Sequence, residues 1–415
     1  MTHTLPVHDV VIVGAGTAGI ATAASLLKRV PGLDVLLIDP ASEHFYQPGW
    51  TLVGAGVFKA ASTRRETATL IPPGAKLLQA TVIGFDPANS QVLLANRPGL
   101  GYRQLIVCPG LVLNWAAIDG LESTLGQHGV TSHYRYDLAP YTWELTRQLR
   151  KGRALFTQPG MPIKCAGAPQ KALYLACDHW RWEGRQGAVR AEFLNANPSL
   201  FGVAAYVPAL QRYIERYEVD LRLRHRLVAV NGPLRQATFE VTASDGSIRH
   251  DTRGFDLLHV VPPQCPPLAV SGSALADANG WLEVDPHSLR HRRFANVHGL
   301  GDVINTSNAK TVAAARKQAP VVAHNVAAAL GKASGTAHYD GYGACPLTVE
   351  RGRIVLAEFA YGGALAPSFP QWVLKGTEPT RLAWWLKAHA LPAVYWHGML
   401  RGREWLAQPT LEAMP

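Results

Sequence analysis

Asp9-Val10-Val11-Ile12-Val13-Gly14-Ala15-Gly16-Thr17-Ala18-Gly19 is the stretch that decides the fold. The four apolar residues Val10 to Val13 predict a strand buried on both faces of a parallel sheet. The chain runs straight into Gly14-Ala15-Gly16-Thr17-Ala18-Gly19, and an Ala-rich helical stretch follows from Ile20 to about Arg29. A second apolar strand, Val35-Leu36-Leu37-Ile38, ends at Asp39. This is GxGxxG between strand and helix with an acid about 20 residues on, the signature of a dinucleotide-binding unit. Gly14 allows the tight turn. Gly16 lets the backbone approach a pyrophosphate, which sits at the helix N-terminus beside Thr17 and Ala18. Gly19 lets helix and strand pack closely, and Asp39 is expected on a ribose hydroxyl. The plain alternative is a glycine-rich turn without ligand.

The chain has 415 residues, which at roughly 150 per domain predicts two to three domains. Lys+Arg number 40 against 30 Asp+Glu, a net charge of +10. Hydrophobic residues reach 47% and charged residues 17%, a composition that excludes intrinsic disorder. Five Cys are too sparse for a disulfide-stapled domain. No apolar run is long enough for a transmembrane helix, and the N-terminus lacks the basic and apolar regions of a cleaved signal. The positive charge suits nucleic acid, an anionic cofactor or an anionic membrane surface. Without a Lys/Arg run of five or more, no nucleic-acid partner is expected.

The fingerprint alone does not choose between FAD and NAD. Asn296-Val297-His298-Gly299-Leu300-Gly301-Asp302-Val303 reads as a short strand ending in Gly-Asp, followed by a helical segment from about Thr311 to Leu330. It resembles the second FAD motif of flavoproteins with two dinucleotide domains, in which the Asp binds the ribityl chain and the helix aims its positive end at the flavin. Leu105-Ile106-Val107-Cys108-Pro109-Gly110 resembles the crossover that closes the first FAD segment. Alone, Asp302 would be an ordinary turn residue; the three motifs in order imply FAD. The expected fold is α/β, with two Rossmann-like domains and a C-terminal membrane-associating segment. The expected divisions are 1–115 (FAD domain, first segment), 116–255 (second Rossmann-like domain), 256–330 (FAD domain, second segment) and 331–415 (C-terminal region). In the second domain the strand Ala154-Leu155-Phe156-Thr157 leads into Gln158-Pro159-Gly160-Met161-Pro162-Ile163-Lys164-Cys165-Ala166-Gly167-Ala168-Pro169-Gln170-Lys171. The glycine spacing is missing, and prolines stand where N–H groups should meet a pyrophosphate. NAD(P)H is therefore not expected there.

Cys165 and Cys345 lie in Gly/Pro-marked loops, whereas Cys108 ends a strand, Cys177 sits in an Ala/Leu helix and Cys265 lies among prolines. Cysteines in helices and strands are usually inert core residues. Spacing alone does not separate Cys165 and Cys345 from that description. No CxxC, HExxH or Cys/His cluster suggests a metal, and no GxSxG elbow is present.

The segments Lys164-Cys165-Ala166-Gly167-Ala168-Pro169-Gln170-Lys171 and Tyr339-Asp340-Gly341-Tyr342-Gly343-Ala344-Cys345-Pro346-Leu347 resemble the two catalytic-cysteine motifs of sulfide:quinone oxidoreductases. Thr306-Ser307-Asn308-Ala309-Lys310-Thr311 and the tail Tyr395-Trp396-His397-Gly398-Met399-Leu400-Arg401-Gly402 match as well. The pattern is most similar to the two-cysteine subfamily that includes the mitochondrial enzymes. Residues 111–164 lack the third cysteine of other members, which argues against covalent flavin attachment. The resemblance implies that Cys165 and Cys345 face the flavin as a disulfide, or with an extra bridging sulfur. Sulfide opens the pair, leaving a persulfide on one cysteine and a thiolate on the other that passes two electrons to FAD; Cys345 is the favoured persulfide carrier and Cys165 the favoured thiolate, with the reverse assignment open. Quinone is then reduced, and sulfide, sulfite or a small thiol takes the sulfur. Lys164 and Lys171 are candidates for lowering the thiol pKa, with plain surface lysines as the alternative. Lys310 is expected at the flavin's polar edge. None of the 16 His, His133, His179 and His298 among them, is singled out as a base.

Residues 372–415 hold Trp372, Trp384, Trp385, Trp396 and Trp405 among Lys375, Arg381, Lys387, Arg401 and Arg403. Aromatic and basic residues together suit the lipid headgroup layer, so short amphipathic helices are expected to dock on a membrane where quinone is dissolved. A dimer interface or a lid on the core is the alternative, and a homo-oligomer stays open. The expected location is the inner face of a bacterial cytoplasmic membrane. Competing functions are a type II NADH:quinone dehydrogenase, a flavin–cytochrome sulfide dehydrogenase and a non-turnover flavin redox sensor.

Overall fold

The computed structural model describes residues 5–412. Strand β1 (Val7–Val13) enters the GxGxxG turn and helix α1 (Thr17–Arg29), and β2 (Val35–Ile38) returns parallel with Val10 opposite Val35 and Val13 opposite Ile38. Strands β3 (Ala75–Leu78), β4 (Val82–Asp86), β5 (Gln91–Leu94) and β6 (Leu100–Val107) extend the sheet in the order β3-β2-β1-β6-β5-β4. The centre of β1 is fully buried because helices and sheet neighbours cover both faces, which is why its sequence is continuously apolar.

A second sheet follows. It runs β7 (Val130–Thr131), β8 (Gly152–Gln158), helix α2 (Ala168–Trp182), β9 (Val189–Asn195) and β10 (Asp220–Leu223). A three-stranded antiparallel sheet, β11 (His225–Asn231), β12 (Gln236–Thr242) and β13 (Ile248–Gly254), is appended. Strand β14 (Leu257–His259) then inserts between β7 and β8, giving the parallel order β7-β14-β8-β9-β10. The domain boundary expected at 255 is therefore too early. Leu257, Leu258 and His259 are buried at the centre of the second sheet, and a three-residue strand is too short to show periodicity. The chain crosses between the domains twice, at 112–113 and 264–265, and these two crossings pair antiparallel.

Strand β15 (Val297–Gly299) rejoins the first sheet beside β6, with Val297 opposite Leu105. Helix α3 (Val312–Ala329), capped by the Thr311 hydroxyl accepting from Ala314 N–H at 3.2 Å, packs along α1. Small residues on α1 make this close approach possible. The hairpin β16 (Gly343–Glu350) and β17 (Arg353–Phe359) carries Cys345. The chain finishes in a helical segment, 381–401, interrupted by two π-helical turns at Leu386–Ala390 and Val394–Gly398. Among the described residues no helix is long and apolar enough to cross a membrane.

Glycines 16 and 19 separate ligand binding from packing. A Cβ at Gly19 would lie 1.8 Å from the Gly14 carbonyl oxygen, whereas one at Gly16 meets nothing within 4 Å. Gly19→Ala is expected to destabilise the flavin-free protein by about 3 kcal/mol, an overpacking cost, and Gly16→Ala to leave it unchanged. Both should purify without flavin. Thermal unfolding and flavin absorbance check the two effects.

Candidate active site

The nucleotide groove is built by the two FAD segments together. Gly14 holds φ +108°, and a Cβ there would strike the Cys108 carbonyl oxygen at 2.5 Å. Cys108 itself is buried, its thiol pushed up by desolvation, and is a packing residue as its strand position suggests. Asp39 ends β2 and accepts from Ala15 N–H at 2.7 Å and Ala41 N–H at 2.8 Å, so the carboxylate stands at the lip of the turn. Gly16 and Gly110 face open space. Across the groove Gly301, at φ +80°, donates its N–H to Gln318 Oε1 at 2.8 Å and lies over Ala18 of α1. The Asp302 carboxylate has no hydrogen-bond or ion-pair partner among the described residues; burial raises its pKa while Lys310 and Lys164 pull it back. Open backbone at Gly16 and Gly110 with a free acceptor at Asp302 fits a pyrophosphate and a polyhydroxy chain, as FAD requires.

Lys310 is buried, with Nζ 4.3 Å over the Trp281 ring. It donates to the carbonyls of Asp302 at 2.7 Å and Ile304 at 2.8 Å, which locks the Gly-Asp turn. Burial lowers it to about 8. Thr17 and the tail meet in a contact that sequence reasoning missed. Tyr395 Oη lies 2.7 Å from Thr17 Oγ1 and 2.5 Å from His44 Nε2.

The cysteine loop is stitched to this turn. Cys165 N–H donates to the Lys310 carbonyl at 2.8 Å, and Lys164 N–H donates to Gln264 Oε1 at 2.7 Å. Tyr134 Oη donates to the carbonyls of Lys164 and Cys165, at 3.0 and 3.3 Å. Cys165 is thereby held at φ +50°, in the left-handed region that few non-glycine residues adopt. From the other side β16 delivers Cys345, and the two Sγ atoms stand 3.8 Å apart although 180 residues separate them. Gly167 makes room for this meeting. A Cβ there would lie 2.6 Å from Cys345 Sγ and 2.3 Å from Leu347 Cδ2.

Three lysines surround the pair. Lys171, on the first turn of α2, is 2% exposed and places Nζ 3.1 Å from Cys165 Sγ. The surface-lysine alternative fails for it: it is buried, and the adjacent cysteine sulfurs, Cys165 foremost, raise its pKa despite that burial. Lys164 donates to Gln47 Oε1 at 2.7 Å, and its Nζ lies over Trp50 and Tyr134; burial lowers its pKa. Lys387 was expected in the headgroup layer. It is instead 3% exposed and turned inward, donating to the Pro48 carbonyl at 3.0 Å. Burial and repulsion from Lys171 lower it to about 7. Its place inside a basic-aromatic run hid this role in the sequence. The Cys345 thiol donates toward Cys165, and with Lys171 this holds the Cys165 thiol well below its usual range; the same bond and burial push Cys345 well above it. No base joins them from histidine: His133 and His259 are stacked, buried and hydrogen-bonded at 2.6 Å, both pKa values lowered by burial. His298 is likewise buried and lowered to about 3. Cys177 lies in the core of α2, its thiol pushed up by desolvation. No metal-binding cluster occurs among the described residues.

Fold and site define a two-domain flavoprotein in which two distant cysteines are brought together, and residues 8–146 match the pyridine nucleotide-disulphide oxidoreductase family. A curated relative from Dictyostelium discoideum, named sulfide:quinone oxidoreductase, mitochondrial, is 36% identical over 408 residues, 98% of this chain and 88% of its own. The chain belongs to the sulfide:quinone oxidoreductase family. Two solved structures share the fold. A chain of the Tetrahymena thermophila mitochondrial ATP synthase assembly superposes with a TM-score of 0.83 at 19% identity, covering 97% of this chain and 98% of that one. The sulfide:quinone oxidoreductase of Aquifex aeolicus gives 0.77 at 17% identity, covering 96% and 92%. The curated relative is named as mitochondrial, so the expected inner face of a bacterial cytoplasmic membrane gains no support.

Thiolate chemistry at Cys165 should depend on Lys171. The lowered pKa keeps the thiolate present down to pH values below the usual thiol range, and it is lost as pH falls through that lowered value. Lys171→Met is expected to move the midpoint of Cys165 alkylation upward by one unit or more, the scale of a close charge contact. Alkylation rates against pH, read by peptide mass, measure it.

Proposed function

We propose that Cys165 and Cys345 are the redox pair through which this chain oxidises sulfide and reduces quinone. The observation that carries the assignment is the 3.8 Å approach of the two sulfurs beside buried Lys171. Gly14, Gly16, Thr17, Ala18, Gly19, Asp39, Gly110, Gly301 and Asp302, with Lys310 bracing the turn, would hold FAD non-covalently, and FAD would supply the two-electron carrier between the cysteine pair and quinone.

Hydrosulfide attacks Cys345 Sγ of the disulfide. One S–S bond forms, the Cys165–Cys345 bond breaks, and Cys165 leaves as thiolate. The thiol with the lower pKa is the better leaving group, and Lys171 stabilises that charge. Cys165 is also the partly exposed member beside the Gly-Asp turn, whereas Cys345 is 2% exposed. This geometry favours the persulfide on Cys345 and the electron-donating thiolate on Cys165. A nucleophilic acceptor (sulfide, sulfite or a small thiol) then takes the outer sulfur from Cys345, and loss of two electrons from the dithiol remakes the disulfide. The β8–α2 crossover holds the Cys165 loop where an NAD(P)H fingerprint would lie, which disfavours the NADH dehydrogenase reading.

The tail divides by exposure. Tyr395, Trp396, Met399 and Leu400 are buried against the FAD domain, while Trp372 (88% exposed), Leu382, Trp385 (55%) and Leu391 project outward. The outward set is proposed as the membrane-docking surface that meets quinone. Trp372→Glu with Trp385→Glu should abolish flotation with phosphatidylcholine vesicles and leave sulfide-driven bleaching of the flavin intact.

Cys165→Ser and Cys345→Ser should each lower sulfide:quinone turnover by at least about a thousandfold, as expected when a nucleophile is removed. Anaerobic sulfide titration should bleach the wild-type flavin and leave both variants oxidised. NADH should do nothing. Alkylation after one turnover should place the extra sulfur on the Cys345 peptide. Bleaching by NADH but not by sulfide would overturn the assignment.

A further inference from the structure

On the outer side of α1 and α3, away from the cysteines, the returning tail leaves an open cavity of about 860 Å³. Lys28, Lys317 and Arg403 line it, and none has a carboxylate within salt-bridge distance among the described residues. The two acids on its wall are already engaged. Glu404 takes a two-point bond from Arg29, at 2.5 and 2.8 Å, and a third from Ser25 at 2.7 Å; Asp340 accepts from Tyr342 N–H at 2.9 Å. Arg316, half-buried in the adjoining hollow with Arg403 and Glu404, also lacks an ion pair, and burial lowers its pKa. Keeping a guanidinium half-desolvated with no counter-charge is unfavourable. Lys28, exposed, donates to the Gly402 carbonyl at 3.3 Å, and Arg403 is also exposed; the half-buried pair, Lys317 in this cavity and Arg316 in the adjoining hollow, has no carboxylate, and it is this unpaired charge that calls for an anion. Lys317 lies over the Tyr342 ring at 5.4 Å and Arg403 over Trp405 at 5.5 Å, so both cations are steadied on aromatic walls. At the mouth Trp405 and Leu406 are each more than half exposed. Apolar side chains beside converging cations match an amphipathic anion better than a soluble one.

We propose that this cavity binds the phosphate of an anionic phospholipid headgroup, with Trp405 and Leu406 against the start of its acyl chains. Lys317 and Arg403 supply the charge, Arg316 closes the inner end, and the site adds lipid selectivity to the docking surface proposed above, a reading on which it rests.

The test uses the flavin-loaded full chain and vesicles of phosphatidylcholine with or without phosphatidylglycerol. Wild type should bind the anionic vesicles more tightly. Lys317→Gln with Arg403→Gln should lose about thirtyfold of that binding, the equivalent of two headgroup contacts. Binding to phosphatidylcholine alone and turnover with a short-chain soluble quinone should not change. The Trp372→Glu/Trp385→Glu variant distinguishes the two readings, since it should lose binding to both vesicle types. Three results would overturn the proposal. One is an equal loss in Lys151→Gln with Arg249→Gln, two exposed cations elsewhere, which would mean diffuse charge. Another is no preference for anionic vesicles in the wild type. The third is saturable binding of glycerol 3-phosphate at matched ionic strength without vesicle preference, which would assign the cavity to a soluble phosphate ester.

Discussion

The hydrogen bond from Cys165 N–H to the Lys310 carbonyl joins two parts of the chain that have no other reason to meet. One end belongs to the loop after β8 in the second domain. The other belongs to the Gly-Asp turn of the FAD domain, which Lys310 braces through two carbonyls. Because the bond fixes both backbone segments, the sulfur of Cys165 is placed by main-chain geometry rather than by a flexible side chain. Tyr134 and Gln264 reinforce it from the second domain and the linker. Movement of this seam would separate the thiolate from the Gly-Asp turn and Asp302.

Burial explains the electrostatics around that seam. Lys171 and Lys387 are each almost fully enclosed, and an isolated ammonium in such a place would surrender its proton. Lys171 keeps its charge because a thiolate lies 3.1 Å away; Lys387, buried, hydrogen-bonded only to the Pro48 carbonyl and repelled by Lys171, is pulled down to about 7. Two lysines of the same composition thus behave differently for reasons of partner and distance. The same reasoning sets the cysteines apart: sharing one proton at 3.8 Å forces one sulfur toward thiolate and the other toward thiol.

Local pattern made much of this visible. The first dinucleotide unit was readable from Val10 to Asp39 because strand, turn, helix and acid are contiguous, and β2 falls at Val35–Ile38 as its apolar run suggests. The Gly301-Asp302 segment and the two cysteine motifs were readable as motifs. Three things were not. Leu257–His259 is a central strand too short to carry a period. Lys387 sits in a run whose composition suggested a membrane, yet its partners are Pro48 and the distant cysteines. Tyr395 reaches Thr17 across 378 residues. Each depends on contacts between remote segments, which spacing does not encode.

The paired crossings at 112–113 and 264–265 make the second domain a module plugged in through one two-pronged connector. Its entrance and exit lie side by side, so its contents can change without altering the order of strands in the host sheet. In the crossover after β8 a cysteine loop occupies the place of a nucleotide turn, and the β16–β17 hairpin and the tail bring Cys345 and Lys387 to meet it. A change in that loop leaves the strand order of the host sheet as it is.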